Sequence, residues 1–503
     1  MKSSRPPGHA PAVDPVVATD ESGPGAAATP LFVDLDGTLV ATNTLLECLL
    51  LRLRHRPLDL LKLPLWLWRG RAYVKARLAE DDRLEVGRLP YRGDLCDQLR
   101  RVHAEGRRVY LATAADQRIA HRIARHLGFF DAVLASDGQR NLRAREKLAA
   151  IRDVAARDFD YAGNARDDLV IWRAARSAIV VGARSGLVRR VARLGRPAQI
   201  MPATASPWRE IVRALRVHQW LKNLLVFVPL LTSFRFTDPG VLTHSLVAFF
   251  AFCFCASSIY IVNDLLDLEA DRAHPRKRFR PFAGGTLSIP VGLLVAASGM
   301  GLGLGLAGWD SQHLLAIMLV YVATSTAYSI HLKTRVLADV IVLAILYTLR
   351  IFAGAAGTGI PLSVWLVAFS VLVFLSLGLV KRCSELMLLQ REGRQVIRGR
   401  DYVLDDLKIF WPMGVATSVG AVLLFAFFIH FGGVQAHYRT PALLWIVAVG
   451  LFYWLSRMWI KTARGEMTDD PLVFALRDAG SRTVIAGMIL VTVAARYAPL
   501  AWP

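Results

Sequence analysis

Cysteine is scarce in this 503-residue chain, and the five present have no useful spacing. Cys48, Cys96, Cys253, Cys255 and Cys383 make neither a disulfide framework nor a set of metal ligands, so they read as small apolar side chains in a reducing compartment. A continuous apolar segment is missing from the Pro-, Ala- and Gly-rich start of the chain. No secretory signal is expected there, and residues 1–29 are expected to be a disordered tail. Acidic side chains are in deficit, 40 against 61 lysines and arginines, for a formal net charge of +21. Such an excess raises nucleic acid as a partner. The basic residues, however, sit largely in loops between apolar runs and in a soluble part. Membrane topology and anionic lipid account for them there, so no nucleic-acid partner is expected.

Apolar sequence is abundant and unevenly placed. Hydrophobic residues make up 54% of the chain, and the mean hydropathy is +0.37. Residues 31–200 alternate charged and apolar segments as a globular domain does, whereas 220–500 hold long apolar runs. The loose stretch RPAQIMPATASP suggests a linker at 196–207, between a soluble domain at 30–195 and a membrane domain at 208–503. Nine runs recur, at 221–234, 241–262, 287–308, 313–330, 337–355, 362–380, 411–431, 441–460 and 483–499, several of them near the roughly 20 residues a span requires. Connections after even-numbered runs are basic (RAHPRKRFRP, HLKTR, KRCSELMLLQREGRQVIRGR, RMWIKTARGEMTDDP). Those after odd-numbered runs (RFTDPG, WDSQH, GTGIP, GGVQAHYRT) are nearly free of lysine and arginine. The positive-inside rule then predicts a multi-pass inner-membrane protein with its soluble domain and basic loops on the cytoplasmic side.

The second run ends in NDLLDLEADRAHPRKRFRP, Asn263 to Pro281. Carboxylates at the end of a span are costly and point to function. On a continuous helix, Asn263, Asp264, Asp267 and Asp271 fall at roughly 0°, 100°, 40° and 80°, one polar stripe. Carboxylates that close repel unless a cation sits between them, and hard oxygens suit Mg²⁺ carrying a phosphorylated substrate. Arg272, His274, Arg276, Lys277, Arg278 and Arg280 follow, cations suited to phosphate oxygens. A helix end with a positive flank would explain the arginines but not the carboxylates. Other polar residues lie in or beside such connections: Lys222 and Asn223 at the start of the first run, Tyr328, Lys333 and Asp339 around the join of the fourth and fifth, and Lys381, Arg382 and Glu385 after the sixth. Arg350, inside the fifth run, either has a partner in a wet cavity or snorkels to the interface. Lys381 and Arg382 read equally as phosphate ligands or as topology signals.

In the soluble part, LFVDLDGT leads an apolar strand into Asp34 and Asp36, which point to the same side because strands alternate. Two such aspartates can bind Mg²⁺ together, one attacking phosphorus while the other delivers a proton to the leaving oxygen.

These residues resemble known families. The N-terminal block looks like motif one of the haloacid dehalogenase phosphatase superfamily, with Asp34 as nucleophile and Asp36 as acid/base. The resemblance implies a phosphate-binding Thr113 in RRVYLATAAD and a phosphate-steadying Lys147 in REKLAAI. It also implies a closing acidic motif in YAGNARDDLVIW, where Asp168 is a metal ligand but Asn164 replaces the usual first aspartate, Asp167 remaining beside it. The helical, partly apolar and basic stretch at about 45–100 reads as a cap, with Trp66 and Trp68 serving either its core or the membrane surface. ND-x₂-D-x₃-D on a span resembles the UbiA superfamily of intramembrane prenyltransferases. That superfamily's second aspartate-rich motif is replaced here by KRCSEL. A closer resemblance is to the decaprenyl-phosphate phosphoribosyltransferase branch, in five blocks: Gln219 to Asn223, Asn263 to Pro281, Tyr328 to Lys333, Arg350 to Gly354 and Lys381 to Leu386.

The expectation is a multidomain chain, an N-terminal α/β, Rossmann-like haloacid dehalogenase fold with a helical cap joined to a C-terminal all-α domain of about nine transmembrane helices. The resemblance implies Mg²⁺, phosphoribosyl diphosphate as donor and a polyprenyl phosphate as acceptor. The soluble domain would then remove the product's 5-phosphate for cell-envelope glycan synthesis. Alternatives are an aromatic prenyltransferase of quinone or pigment synthesis, disfavoured by KRCSEL, and a transporter with a regulatory soluble domain, disfavoured by the lack of a midplane polar pathway.

Overall fold

A computed structural model describes residues 29–81, 83–155, 157–202, 206–391, 393, 401–434, 437–467 and 470–498. The expected tail, up to residue 28, lies outside the described residues, as do residues 203–205 of the expected linker.

Short apolar runs form six strands: β1 Leu31–Val33, β2 Val109–Asp116, β3 Ala132–Ser136, β4 Asp160–Gly163, β5 Ser177–Val181 and β6 Ala198–Met201. They make one parallel sheet in the order β3-β2-β1-β4-β5-β6. Helical crossovers cover both faces of such a sheet, so its central strands are apolar throughout. Leu31 and Val33 enter one core while Phe32 enters the other. The chain leaves β1 toward β2 and β3, then returns to β4 on the opposite side. Ligands of open parallel sheets bind beyond the strand ends at that switch. Asp34 and Asn164 are the first residues past β1 and β4. The expected linker at 196–207 is corrected in part, because β6 lies within it and pairs with β5 from Ala178↔Ala198 to Val181↔Met201. A four-residue edge strand, mostly exposed, carries no alternation by which to read it.

Among the described residues, eight helices are long and apolar enough to cross a membrane: Pro239–Leu266, Ile289–Asp310, Gln312–Ile330, Ala338–Thr358, Val364–Arg391, Leu404–Phe431, Pro441–Ala463 and Ala479–Tyr497. They are called the first to eighth spans below. The run predicted at 221–234 is not among them. It forms a 3₁₀ helix, Val217–Phe227, followed by a short α-helix, Val228–Thr232. Because a 3₁₀ helix rises about 2 Å per residue, these sixteen residues extend roughly 30 Å, the reach of a span from fewer residues. Small residues let the helices close up. A Cβ at Gly303 of the second span would meet the Ala251 carbonyl at 2.8 Å, and one at Gly354 of the fourth would strike the Val226 carbonyl.

The two halves are joined by the helix Thr44–His55, which follows β1. Leu46 and Leu50 pack with Leu265, Leu268 and Phe282 of the membrane half. Beside them Glu47 accepts two hydrogen bonds from Arg272, Nη1 to Oε2 at 2.9 Å and Nη2 to Oε1 at 2.6 Å, and a third from Thr42 at 2.6 Å. Arg54 reaches Asp267 at 2.9 Å and donates to the Leu266 carbonyl at 2.9 Å. Glu47→Ala strands a buried guanidinium, which costs about 3–5 kcal/mol. The expected outcome is a lower unfolding temperature of the detergent-solubilised chain, and an unchanged value would refute the assigned role of the pair.

Candidate functional site

In the soluble half the polar residues converge where β1 and β4 end. Asp34 Oδ1 accepts from Lys147 Nζ at 2.7 Å, and Lys147 also donates to the Tyr161 hydroxyl at 3.0 Å. Tyr161 donates in turn to Asp168 Oδ1 at 2.7 Å. Asp36 Oδ1 accepts the Thr44 backbone N–H at 2.8 Å, so the joining helix starts on this site. Thr113, fully buried, lies two residues past Leu111, the partner of Val33 on β2. Burial pushes the Asp34 carboxyl up to about 7 against the opposing pull of Lys147, with the charge of Asp168 adding to the rise. Burial also raises the Asp36 carboxyl. For Lys147 burial acts downward, but the Asp34 and Asp168 charges outweigh it and hold the ammonium above its ordinary range.

Asp168 does not stand as the motif implied. Both its oxygens are taken, Oδ1 by Tyr161 and Oδ2 by the backbone N–H groups of Asn164 at 3.0 Å and Ala165 at 2.9 Å. A carboxylate that ties its own turn this way is a positioning group. Asn164 Oδ1 is among the buried oxygens without a partner here, with those of Thr38 and Thr44, and its amide fills the space that a Cβ at Gly37 would need. An orphaned buried oxygen on the turn past β4, beside the β1 end that carries Asp34, fits a cation. Asp167 turns outward to Arg143 at 2.6 Å. Tyr161 and Lys75 were not legible beforehand. Lys75 donates to the Ala114 carbonyl at 2.5 Å and to Asn141 at 2.8 Å, from a cap helix, Arg71–Ala79, that carries no motif.

In the membrane half the expected continuous stripe is broken. The first span ends at Leu266, Asp267 caps it, and a new helix, Leu268–Ala273, begins. Asp264 and Asp271, both buried, share Arg280, at 3.1 and 2.7 Å, and Asp264 also binds Arg216 at 2.5 Å. Asp267 faces Lys333 at 3.1 Å besides Arg54. Among the described residues no three His, Cys, Asp or Glu side chains form a ready-made metal cage. The oxygens are hard, each carboxylate is already matched by a cation, and Mg²⁺ takes most of its ligands from water and phosphate, so the donor set suits that ion. Asn263 is half-buried at the same helix end. His274, Lys277 and Arg278 are exposed around it, His274 Nδ1 accepting from the Arg276 N–H at 3.2 Å.

A second polar group lies around Lys222, which pairs with Asp470. Asp470 also caps the helix Pro471–Arg477 and accepts from Tyr347 at 3.4 Å. The charges of Arg382, Glu385, Asp470 and Lys222 all act on Lys381, which makes no ion pair within 4 Å among the described residues. Arg350 donates to Asn223 at 2.9 Å and stands 4.9 Å from the Phe252 ring and 5.3 Å from that of Tyr347, so it is buried and caged rather than snorkelling. Asp470 and Arg216 were missed, both lying outside any motif.

Five of the predicted substrate-binding residues, Arg272, Tyr328, Asp339, Arg382 and Glu385, are engaged elsewhere. Arg272 is committed to Glu47 across the domain contact. Asp339 and Arg382 are both wholly buried, 2.6 Å apart, with Tyr328 and Tyr402 donating to Asp339 at 2.7 and 3.0 Å and Glu385 completing the group. Arg382 of KRCSEL thus builds a buried ion pair that ties the fourth span to the fifth.

Residues 226–477 match the UbiA prenyltransferase family, and residues 31–172 match the haloacid dehalogenase-like hydrolases. The chain belongs to the UbiA prenyltransferase family and carries a haloacid dehalogenase-like domain at its N-terminus; it is a multi-pass membrane protein and an enzyme by family. The uncharacterized protein y4nM of Sinorhizobium fredii is 38% identical over 455 residues, 90% of this chain and 88% of that one. Nodulation protein NoeC of Azorhizobium caulinodans is 37% identical over 292 residues, 57% of this chain and 94% of that one. The decaprenyl-phosphate phosphoribosyltransferase of Mycolicibacterium smegmatis is 35% identical over 240 residues, 44% of this chain and 73% of that one.

These positions separate two roles. Asp339→Ala leaves the Arg382 guanidinium buried without its main partner, and a stability loss of about 3–5 kcal/mol is expected. Lys381→Ala removes no ion pair and is expected to leave unfolding within about 0.5 kcal/mol of wild type. Thermal unfolding in one detergent compares them, and equal losses would remove the distinction.

Proposed function

We propose that the membrane half transfers 5-phosphoribose from phosphoribosyl diphosphate to a polyprenyl phosphate, and that the soluble half hydrolyses the 5-phosphate of the product. The observation that carries this reading is Lys381. It stands unpaired by any described carboxylate beside Lys222, where aromatic prenyltransferases of the family have a second acidic motif. A prenyl diphosphate presents one diphosphate; this donor and acceptor bring a 5-phosphate and a lipid phosphate as well, and cations serve those. The 35% identity to decaprenyl-phosphate phosphoribosyltransferases supports the same donor and acceptor.

In the transfer, the anionic oxygen of the lipid phosphate attacks the anomeric carbon as the bond to diphosphate breaks. The nucleophile is already charged, so no strong base is required, and Lys222, Lys333, Lys381 and Arg280 align and neutralise phosphates. In the hydrolysis, Asp34 attacks phosphorus and Asp36 gives a proton to the departing 5-oxygen. Water then attacks the aspartyl phosphate, while Thr113 and Lys147 hold the phosphate oxygens. Mg²⁺, held by Asp264, Asp267 and Asp271 in one site and by Asp34, Asp36 and Asn164 in the other, would neutralise charge on the diphosphate and on the phosphate under attack. Both sites are assigned to the cytoplasmic face of the inner membrane, because the basic connections belong there. Joining the halves raises the effective concentration of the intermediate at the second site.

Purified protein given Mg²⁺, phosphoribosyl diphosphate and a polyprenyl phosphate should yield polyprenyl-phosphoryl-ribose by mass. Asp264→Ala, Asp267→Ala and Asp271→Ala should each slow transfer on the order of a thousandfold. Consumption of prenyl diphosphate with an aromatic acid, in place of phosphoribosyl diphosphate, would overturn the reading. Asp34→Asn should leave transfer intact and make the lipid accumulate one phosphate heavier. Identical lipids from wild type and variant would detach the soluble half from this substrate.

A further inference from the structure

The stretch 56–71, RPLDLLKLPLWLWRGR, follows the joining helix and is folded inside out for a soluble domain. It forms the 3₁₀ helix Pro57–Lys62 and the helix Leu63–Trp68, in which Trp66 alone is buried. Trp66 packs under the Arg52 guanidinium at 5.2 Å and pins the stretch to the cap. Leu58, Leu61, Leu65, Leu67 and Trp68 are 54–85% exposed. So many large apolar side chains uncovered in eleven residues mark a surface that something else covers.

Its position identifies what. Arg54 donates to the carbonyl of Leu266, the last residue of the first span, and therefore lies at the end of the membrane-crossing region. Leu58 is four residues further on, within about 14 Å even if the chain were fully extended. Charge agrees. Asp59, the one acid in the stretch, is neutralised by Arg52 at 3.0 Å and Lys62 at 3.1 Å. Arg56, Arg69 and Arg71 remain exposed, as anionic headgroups require.

We propose that residues 57–68 are an interfacial anchor that lies in the headgroup region of the same bilayer the eight spans cross. The anchor also orients the phosphatase entrance. Arg69, Arg71, Tyr73, Gln139 and Asn141 line a cleft that begins at the anchor's end. Asn141 binds Lys75, whose other partner is the carbonyl of Ala114, next to Thr113. A phosphate monoester on a lipid would thus pass from the bilayer surface along arginines to Asp34; this part rests on the phosphatase reading above.

The test uses the full chain in vesicles of phosphatidylcholine and phosphatidylglycerol. Its five cysteines are all buried, so nitroxide labels can be placed selectively at Leu61→Cys, Trp68→Cys and, as an aqueous control, Glu105→Cys. Oxygen, which concentrates in lipid, should relax the first two labels more than a nickel chelate does, with the opposite order at the control. Nickel dominating at all three sites would overturn the proposal, and so would shielding of Leu61→Cys and Trp68→Cys from both reagents, which means a protein partner. In a second arm, Leu58, Leu61, Leu65 and Trp68 are all changed to Ser. Hydrolysis of the bilayer-embedded phosphorylated lipid should fall about tenfold while that of soluble p-nitrophenyl phosphate is unchanged. Equal loss on both substrates would overturn the delivery role. A wild type inactive on both would sink the phosphatase reading, leaving the anchor to the spin labels.

Discussion

The contact between Glu47 and Arg272 is the point from which both halves take their positions. Two charges removed from water are stable only with good geometry and filled hydrogen-bonding capacity, and this pair has two parallel hydrogen bonds plus Thr42 on the carboxylate. Arg272 is the residue after Asp271, and Glu47 lies one turn into the helix whose first N–H binds Asp36. Fixing the pair therefore fixes the distance between two aspartate clusters that belong to different folds. Arg54, two turns further along the same helix, repeats the constraint at Asp267.

Most charge in the membrane half is arranged as matched sets, Lys381 and Arg350 being exceptions among the described residues. Asp264 and Asp271 are bridged by arginine, Asp267 faces lysine, and Asp470 balances Lys222. Asp339 and Arg382 are closed off completely. Neutral sets of this kind keep polar groups tolerable beside lipid. On the proposed function they also leave the cations one step from a phosphate, since an arriving anion would have only to exchange for a carboxylate that a metal would take up.

Much of this was readable from residues, and the exceptions share a cause. The aspartates at the end of a span, the strand ending in Asp34 and Asp36, and the apolar runs all announce themselves through local pattern. What pattern cannot carry is partner choice over long separations. Arg272 stands amid phosphate-type cations, yet its partner is 225 residues away. Arg382 looked like a ligand until Asp339 and Tyr402 closed around it. Asp470 has no motif, because its role follows from packing alone. Asn164 was read as a weakened motif position, and only burial beside Gly37 revealed its unpartnered oxygen.

The 3₁₀ stretch Val217–Phe227 obeys a matching of periods. Trp220, Asn223 and Val226 are three residues apart, one turn of that helix, and so stand in a straight column. Their partners are four apart: Trp220 donates to Ser257 and Asn223 to Cys253 on the first span, while Asn223 accepts from Arg350 and Val226 lies against Gly354 on the fourth. Three residues of 3₁₀ helix and four of α-helix both rise about 6 Å, so the column meets two α-helical ridges at once without drifting. Rewinding the stretch as α-helix would advance its contacts by only about 4.5 Å per three residues, and Asn223 would lose either Cys253 or Arg350. The tight winding is what lets one asparagine serve two spans.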